Sequence, residues 1–344
     1  MRFNKSPPLT YKLRLPLNRY GFPAKRGKAI NFSQSLSCYY KAMNILPMQP
    51  EHADQLLAIY RSQVAYAPHC QFVSDRMRFA NDLLALEAQP QRLYKAPQLA
   101  ATLVADVSGT AQGFATLASY RDSDNRDHQA ITGLFFADEL AAHTLIQACE
   151  AQATYHELEA FPDTHGNTLI QAYNAGWDGL SDRIPNVARI LTQHNFIPVY
   201  RELHLIAQIE QIQGSSRLLP PTLTMTVRAP TTEPIGSQLV QVLDGLEEVG
   251  VCAYSTLAPL TDNPEARYTG YIEWLHVHDS YRRRGIARML LSTAIEQLRI
   301  QGCTECWLTT AANNWGAQSL YLSMGFNVVD SSASYQKTLA LSSP

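Results

Sequence analysis

The sequence predicts an α+β fold built as two related halves, each a mixed, mostly antiparallel sheet flanked by helices. Three observations carry that expectation. Strand-like and helix-like segments alternate along the chain. The order hairpin, strand, helix, strand, helix occurs twice. Between the two runs lies a short stretch containing Ser215, Ser216, Pro220 and Pro221, composed like a linker. The expected division is a tail over 1–42, a first domain over 43–212, a linker over 213–222 and a second domain over 223–344.

The first run opens with a short strand over 45–48. Residues 51–62 are amphipathic, with Ala53, Leu56, Leu57 and Tyr60 on one side. A second helical stretch covers 75–88. Residues 101–107 and 112–119 flank Gly109 and read as a hairpin. A strand over 130–136, a helix over 138–153, a strand over 157–161 and a helix over 185–193 follow. The second run has a strand over 225–228 and a hairpin of 239–244 and 248–257 about Gly245. A strand over 270–277, a helix over 286–300, a strand over 305–310, a helix over 315–323 and a strand over 326–329 complete it.

Composition narrows the class. At 344 residues and 46% hydrophobic, the chain can bury two full-sized cores. It has no long apolar run, so no membrane span is expected. The net charge of −2 gives no overall nucleic-acid signal, and nucleic acid is not the expected partner. That average hides an asymmetry. Residues 1–42 carry nine basic side chains and no acidic one, while the remainder carries 19 basic against 30 acidic, a net −11. The basic stretch has no secretory apolar core and no periodicity, so a disordered tail is expected, with Met43 opening the first domain. Six scattered cysteines without a secretory signal read as free thiols in a reducing, cytoplasmic setting. Cys303 and Cys306 form a lone C-x-x-C with no second pair, so no metal is expected.

Two motifs carry chemistry. The first is Arg282-Arg283-Arg284-Gly285-Ile286-Ala287, between the strand over 270–277 and a helix whose apolar face is Ile286, Met289, Leu290, Thr293, Ala294 and Leu298. Backbone N–H groups at a helix start lack intrahelical partners, and the helix dipole favours negative charge there. A pyrophosphate fits such a place. Gly285 and Ala287 remove bulk, and Arg282, Arg283, Arg284 and Arg288 add charge-assisted hydrogen bonding. No Gly-Lys-Ser/Thr follows, and the G-x-G-x-x-G spacing is absent, so neither a P-loop nor a dinucleotide fingerprint is present. The second motif, Asn314 to Tyr321 closed by Gly325-Phe326, is a helix with Ala317, Leu320 and Tyr321 on one face. A tyrosine, with a reference pKa of about 10, can protonate a leaving thiolate.

Together these motifs resemble motifs A and B of the GCN5-related N-acetyltransferase (GNAT) family. The resemblance extends over both halves as a tandem form and implies the GNAT fold for each. It implies acetyl-CoA as co-substrate. The main chain of Leu275, His276 and Val277 would hold the pantetheine arm and acetyl carbonyl. Arg282, Arg283, Arg284, Gly285, Ile286, Ala287 and Arg288 would bind the pyrophosphate, with Asn314 and Ala317 beside the ligand. Tyr321 would protonate the departing thiolate. Glu273 would remove the amine's proton through water, with His276 as the alternative base.

The expected reaction is direct acetyl transfer to a primary amine of a small molecule, to which the −11 body gives a mild preference for cations. A non-catalytic acyl-CoA sensor or scaffold is the alternative class, and protein or tRNA amines are alternative acceptors. Oligomerisation stays open. Two departures stand out. Ala137-Asp138-Glu139-Leu140-Ala141-Ala142 replaces the cradle in the first half, which is expected to be degenerate for acetyl-CoA. Only about ten residues separate the strand over 225–228 from Leu239, where the family usually has two helices building the acceptor pocket. The first domain is expected to supply that wall, with Trp177, Asp178 and Asp182 as contributors.

Overall fold

A computed structural model describes residues 43–65, 67, 75–84, 98–121, 124–162, 179–214, 218–228, 238–258 and 264–339. The basic tail lies outside these residues, as do Trp177 and Asp178.

The first half runs β1 (Asn44–Pro47), α1 (Ala53–Val64), α2 (Arg76–Leu84), β2 (Gln98–Val107), β3 (Thr110–Arg121), β4 (Asp127–Phe136), α3 (Glu139–Gln152), β5 (Glu157–Ala160), β6 (Leu180–Ser181), α4 (Pro185–Gln193) and β7 (Ile197–Gln208). The second half runs β8 (Leu223–Arg228), β9 (Gln238–Asp244), β10 (Glu247–Thr256), β11 (Thr269–Val277), α5 (Ile286–Ile300), β12 (Glu305–Ala311), α6 (Trp315–Leu322) and β13 (Asn327–Thr338). The result is the α+β architecture expected for two GNAT-type sheets. No helix among the described residues is long and apolar enough to cross a membrane.

All strands belong to one sheet, in the order β1-β2-β3-β4-β5-β13-β7-β12-β11-β10-β9-β8, with β6 on β13. The halves therefore exchange their last strands. β7, from the first half, pairs with β12 from Glu305↔Gln208 to Ala311↔Glu202. β13, from the second half, pairs with β5 from Tyr335↔Ala160 to Thr338↔Glu157. The two exchanged strands also pair with each other, antiparallel. The linker divides the sequence, but the sheet runs through.

Sequence reading missed β6 and β7 and found only the start of β13. β7 holds Pro198, Arg201, Glu202 and His204, a composition that hides a strand. It is tolerated because β7 has a partner on each side, and its buried polar groups find bonds: His204 Nε2 lies 2.8 Å from Ser332 Oγ on β13.

The helices form where apolar stripes meet the sheet. α5 buries Ile286, Met289, Leu290, Ala294 and Leu298, each large side chain contributing about 1.5–3 kcal/mol. Two glycines let it sit close. A Cβ on Gly270 would lie 2.5 Å from Leu298, and one on Gly250 would lie 3.1 Å from Leu290. In the first half, α1 and α2 pack Tyr60 and Phe79 against Phe114 and Phe135, with ring centroids 5.2–5.9 Å apart.

Candidate active site at the fork between β11 and β12

β11 and β12 are parallel neighbours only from Thr269↔Glu305 to Ile272↔Leu308. Beyond that point they separate. The cause lies on the other edge of β11. There Ala253 faces Trp274 and Tyr254 faces Ile272, so Glu273 is an extra residue with no counterpart on β10. Such a bulge bends its strand and re-aims a side chain. Here it sits at the residue where the ladder to β12 stops. The fork and the position of Glu273 thus have one origin.

The bulge breaks the two-residue alternation of β11. Ile272 packs into the core under α5, and Leu275 and Val277 return to that side. Tyr271 instead belongs to a cluster with Leu257, Ala266 and Trp307. Trp274 and His276 are exposed, Leu275 is half-buried and Val277 is buried. Past Glu273 the β12-facing edge of β11 has no strand beside it among the described residues, which leaves main-chain groups of residues 274–277 for a ligand.

The cradle follows. Val277 and Ile286 are joined by eight residues that include a short 3-10 turn, Asp279–Tyr281. Gly285 caps α5 with φ +87° and no side-chain cap bond, a conformation glycine adopts freely. Arg283 also has φ +61°. The amides of Arg283 through Arg288 meet no acceptor among the described residues, so six consecutive donors surround the positive end of the helix.

The arginines are held differently. Arg282 Nε donates to the Val277 carbonyl at 3.1 Å and its Nη2 pairs with Asp279 at 2.8 Å. Arg284 donates to Ser280 O at 2.9 Å and lies over the Tyr281 ring. Arg288 donates to Ser323 Oγ and, at 3.4 Å, to Gln213 O, which ties α5 to the end of α6. Ile286 is buried, so its amide rather than its side chain faces an anion. On α6, Asn314 caps the helix through Ala317 N at 3.2 Å, and Ala317 packs half-buried on the core.

Tyr321 reaches the fork from α6. It is 6% exposed and packs beside Phe326, with ring centroids 6.0 Å apart. Its hydroxyl forms no hydrogen bond among the described residues. Burial, and then Cys252 and Cys306, push its phenol well above the usual tyrosine range. Two residues not singled out from the sequence join it. Tyr271 is fully buried, and burial raises its phenol strongly. Glu202, Glu273 and Tyr321 act on it in the same sense. The other is Glu202, carried by the exchanged strand β7 and 3% exposed. Tyr271 follows the pattern of the strand and gave no separate signal. Glu202 sat in a stretch with no assigned element.

The first half has the same frame without the chemistry. Its ladder between β4 and β5 covers only Ala130↔Glu159 and Ile131↔Ala160. The register skips between Thr116 and Leu117, so the bulge residue is Thr132. Thr132 Oγ1 lies 2.9 Å from Thr116 Oγ1. Only two residues, Ala137 and Asp138, join β4 to α3. The structural counterpart of Gly285 is therefore Asp138, a shift from the alignment read in sequence. Its carboxylate caps Leu140 N at 2.9 Å, occupying the place an anion would take. Glu139 pairs with Arg189.

Cys149, Cys252, Cys303 and Cys306 are free and buried. Burial pushes the Cys303 thiol up to about 11 and that of Cys149 to about 12, which makes both poor nucleophiles. Cys306 is raised well above its usual value for the same reason.

Comparison with known proteins agrees with this geometry. Residues 225–326 match the profile of the acetyltransferase (GNAT) family. The chain is 42% identical over 60 residues to N-alpha-acetyltransferase 30 of Saccharomyces cerevisiae, covering 17% of this chain and 34% of that protein. It is 39% identical over 62 residues to the [Ribosomal protein bS18]-alanine N-acetyltransferase of Salmonella typhimurium, covering 18% and 42%. The chain thus spans about a third to two-fifths of the curated relatives it matches. A tandem GNAT protein from the clavulanic acid biosynthesis pathway shares the fold at TM-score 0.60 and 12% identity, over 88% of this chain and all of that one. A GCN5-related N-acetyltransferase from Sphaerobacter thermophilus does so at TM-score 0.53 and 14% identity, over 86% and 95%. The second half thus matches the acetyltransferase (GNAT) family model over residues 225–326, and the chain shares the fold of a tandem GNAT protein.

Proposed function

We propose that the protein is an acetyl-CoA-dependent N-acetyltransferase with one working site per chain, in the second half. The observation that carries this reading is a coincidence of parts. The fork at Glu273, the uncapped cradle at Gly285 and Tyr321 occur together in that half. The first half keeps the fork and has Thr132 and Asp138 at the matching places. We read 43–212 as a degenerate GNAT domain and 223–344 as the catalytic one.

In this mechanism the amides of residues 283–288, with Arg282, Arg283, Arg284 and Arg288, take the pyrophosphate. The main chain of Leu275, His276 and Val277 orients the acetyl arm along the open edge of β11 and polarises its carbonyl. Asn314 fixes the start of α6, and the small side chain of Ala317 leaves room beside the arm. An ammonium must lose a proton before its nitrogen can attack. Glu273 accepts that proton through water, with His276 as the second candidate. The nitrogen bonds to the carbonyl carbon, the carbon–sulfur bond breaks, and the departing thiolate takes the proton of Tyr321. A phenol raised by burial is held protonated until that moment.

The acceptor assigned here is a primary amine on a small molecule, in a reducing cytoplasm that suits the buried free thiols. Names of the curated relatives favour a second reading, a protein N-terminal amine. A screen of small amines and peptides, read by thiol release and by product mass, decides between them. No thiol release with any acceptor of either set would favour neither and would turn the reading toward an acyl-CoA-binding protein.

A further inference from the structure

We infer that Trp274, the residue after Glu273 in the β11 bulge, determines acceptor specificity, so that the preferred substrate is a primary amine borne on an apolar, above all aromatic, group. This rests on the acetyltransferase reading above and narrows the acceptor class.

The bulge sets its direction. Ile272 and Leu275 both pack into the core under α5, while Glu273 and Trp274 between them do not. Two residues stand where alternation allows one, so Trp274 follows Glu273 out of that core. The indole is 54% exposed, and no ring or cation packs on it among the described residues. Tyr321 belongs to the core under α5. The thiolate it would protonate therefore leaves on that side, and the amine reaches the carbonyl carbon from the other side of the sheet. Trp274 stands exposed there, one residue from the proposed base.

Its neighbours favour an apolar group over a charged one. Antiparallel pairing sets Ala253 of β10 opposite Trp274, and Leu239 of β9 opposite Ala253. Paired side chains share a face. Cys252 and Val240, one position away, pack under α5, which leaves Ala253 and Leu239 on the Trp274 side, each half-buried. A small residue between two large ones makes a shallow notch about 10 Å wide, two strand spacings from β11 to β9. α5 and α6 both pack into the opposite core, so no helix of the second half lies over the notch among the described residues. Beyond Leu239 the row ends at the exposed Arg228 of β8, which disfavours a second cation on the acceptor. A lone exposed apolar side chain is ordinary on a protein surface. Here an indole, a methyl and an isobutyl group line up beside the reacting carbonyl.

The test compares 2-phenylethylamine with 2-aminoethanol, two primary amines of similar basicity, as acceptors for the full chain. Wild type should favour the aromatic amine in kcat/KM by about tenfold or more, the scale of burying a phenyl group on an indole. Trp274→Ala should collapse that ratio toward one, chiefly through KM for 2-phenylethylamine, with KM for acetyl-CoA and the melting temperature held. Trp274→Phe should keep part of the preference. Equal use of the two amines by wild type, or an undiminished ratio in Trp274→Ala, would overturn the inference. If Trp274→Ala fails to fold, Ala253→Leu replaces it: filling the notch should lower the same ratio, and an unchanged ratio would refute the proposal. Absence of transfer to any amine would sink the acetyltransferase reading instead. Calorimetric titration of CoA-bound wild type and Trp274→Phe with 2-phenylethylamine would still judge Trp274, and equal affinities would then count against it.

Discussion

Leu191 holds in the first half the place that Tyr321 holds in the second. Phe196 N–H donates to the Leu191 carbonyl at 3.0 Å, and Phe326 N–H donates to the Tyr321 carbonyl at 3.1 Å. The residue before each phenylalanine, Asn195 or Gly325, has positive φ. One helix-ending device was kept twice, and the hydroxyl occurs in one copy. With Thr132 at the place of Glu273 and Asp138 at the place of Gly285, each part of the proposed site has a different residue at the matching position of the first half.

Tyr321→Phe should lower kcat by roughly ten- to a thousandfold, as loss of a general acid does. Affinity for CoA should change far less, because the ring still packs beside Phe326. Burial raises the phenol, so the acid form persists to high pH. The wild-type rate should therefore show no decline from this group below about pH 10. Steady-state kinetics across pH checks both statements. Full turnover in Tyr321→Phe would return the residue to a core role.

Gly285→Glu should act on binding first. The residue sits at φ +87°, where a side chain costs about 1–3 kcal/mol, and its carboxylate would face the incoming phosphate. CoA titration should show a loss of about tenfold or more. Asp138→Ala should cost about 1 kcal/mol of stability through the lost cap and create no second CoA site. Two equivalent sites by calorimetry would contradict the one-site reading.

Strand exchange should make the two halves unfold together. β13 completes the sheet of the first half and β7 that of the second, so neither core can open alone. Differential calorimetry should give one transition. Ala333→Asp would bury a carboxylate at a position only 1% exposed and should lower that single transition by roughly 5–10 °C. Two separable transitions would show that the halves are independent.

Most of the second half was legible because its signals are local. The strand–cradle–helix over 270–300 and the capped helix of Tyr321 each bring periodicity and a glycine at the needed place. The bulge at Glu273 was not legible. It is fixed by pairing with β10, a long-range choice that leaves no mark in β11 itself. The exchange of β7 and β13 was hidden for the same reason. Glu202 lay in a stretch with no assigned element until β12 and β13 were placed on either side of β7.

His194 should make stability fall as the medium becomes acidic. Its Nε2 lies 2.9 Å from His143 Nδ1, and its Nδ1 lies 3.6 Å from Glu150, which pairs with Lys337 at 2.5 Å. These groups join α3, the end of α4 and β13. Burial lowers the His194 pKa most. Glu150 works against this, and His143 and Lys337 add to it. The folded state therefore binds the proton less readily than the unfolded state. The stabilising contribution is complete above the unfolded value of about 6.5 and is lost as pH falls through the lower folded value. The melting temperature should drop between pH 7 and pH 5, and His194→Gln should flatten that slope, since glutamine keeps a partner for His143 without titrating. An unchanged slope in His194→Gln would assign the acid sensitivity to other groups.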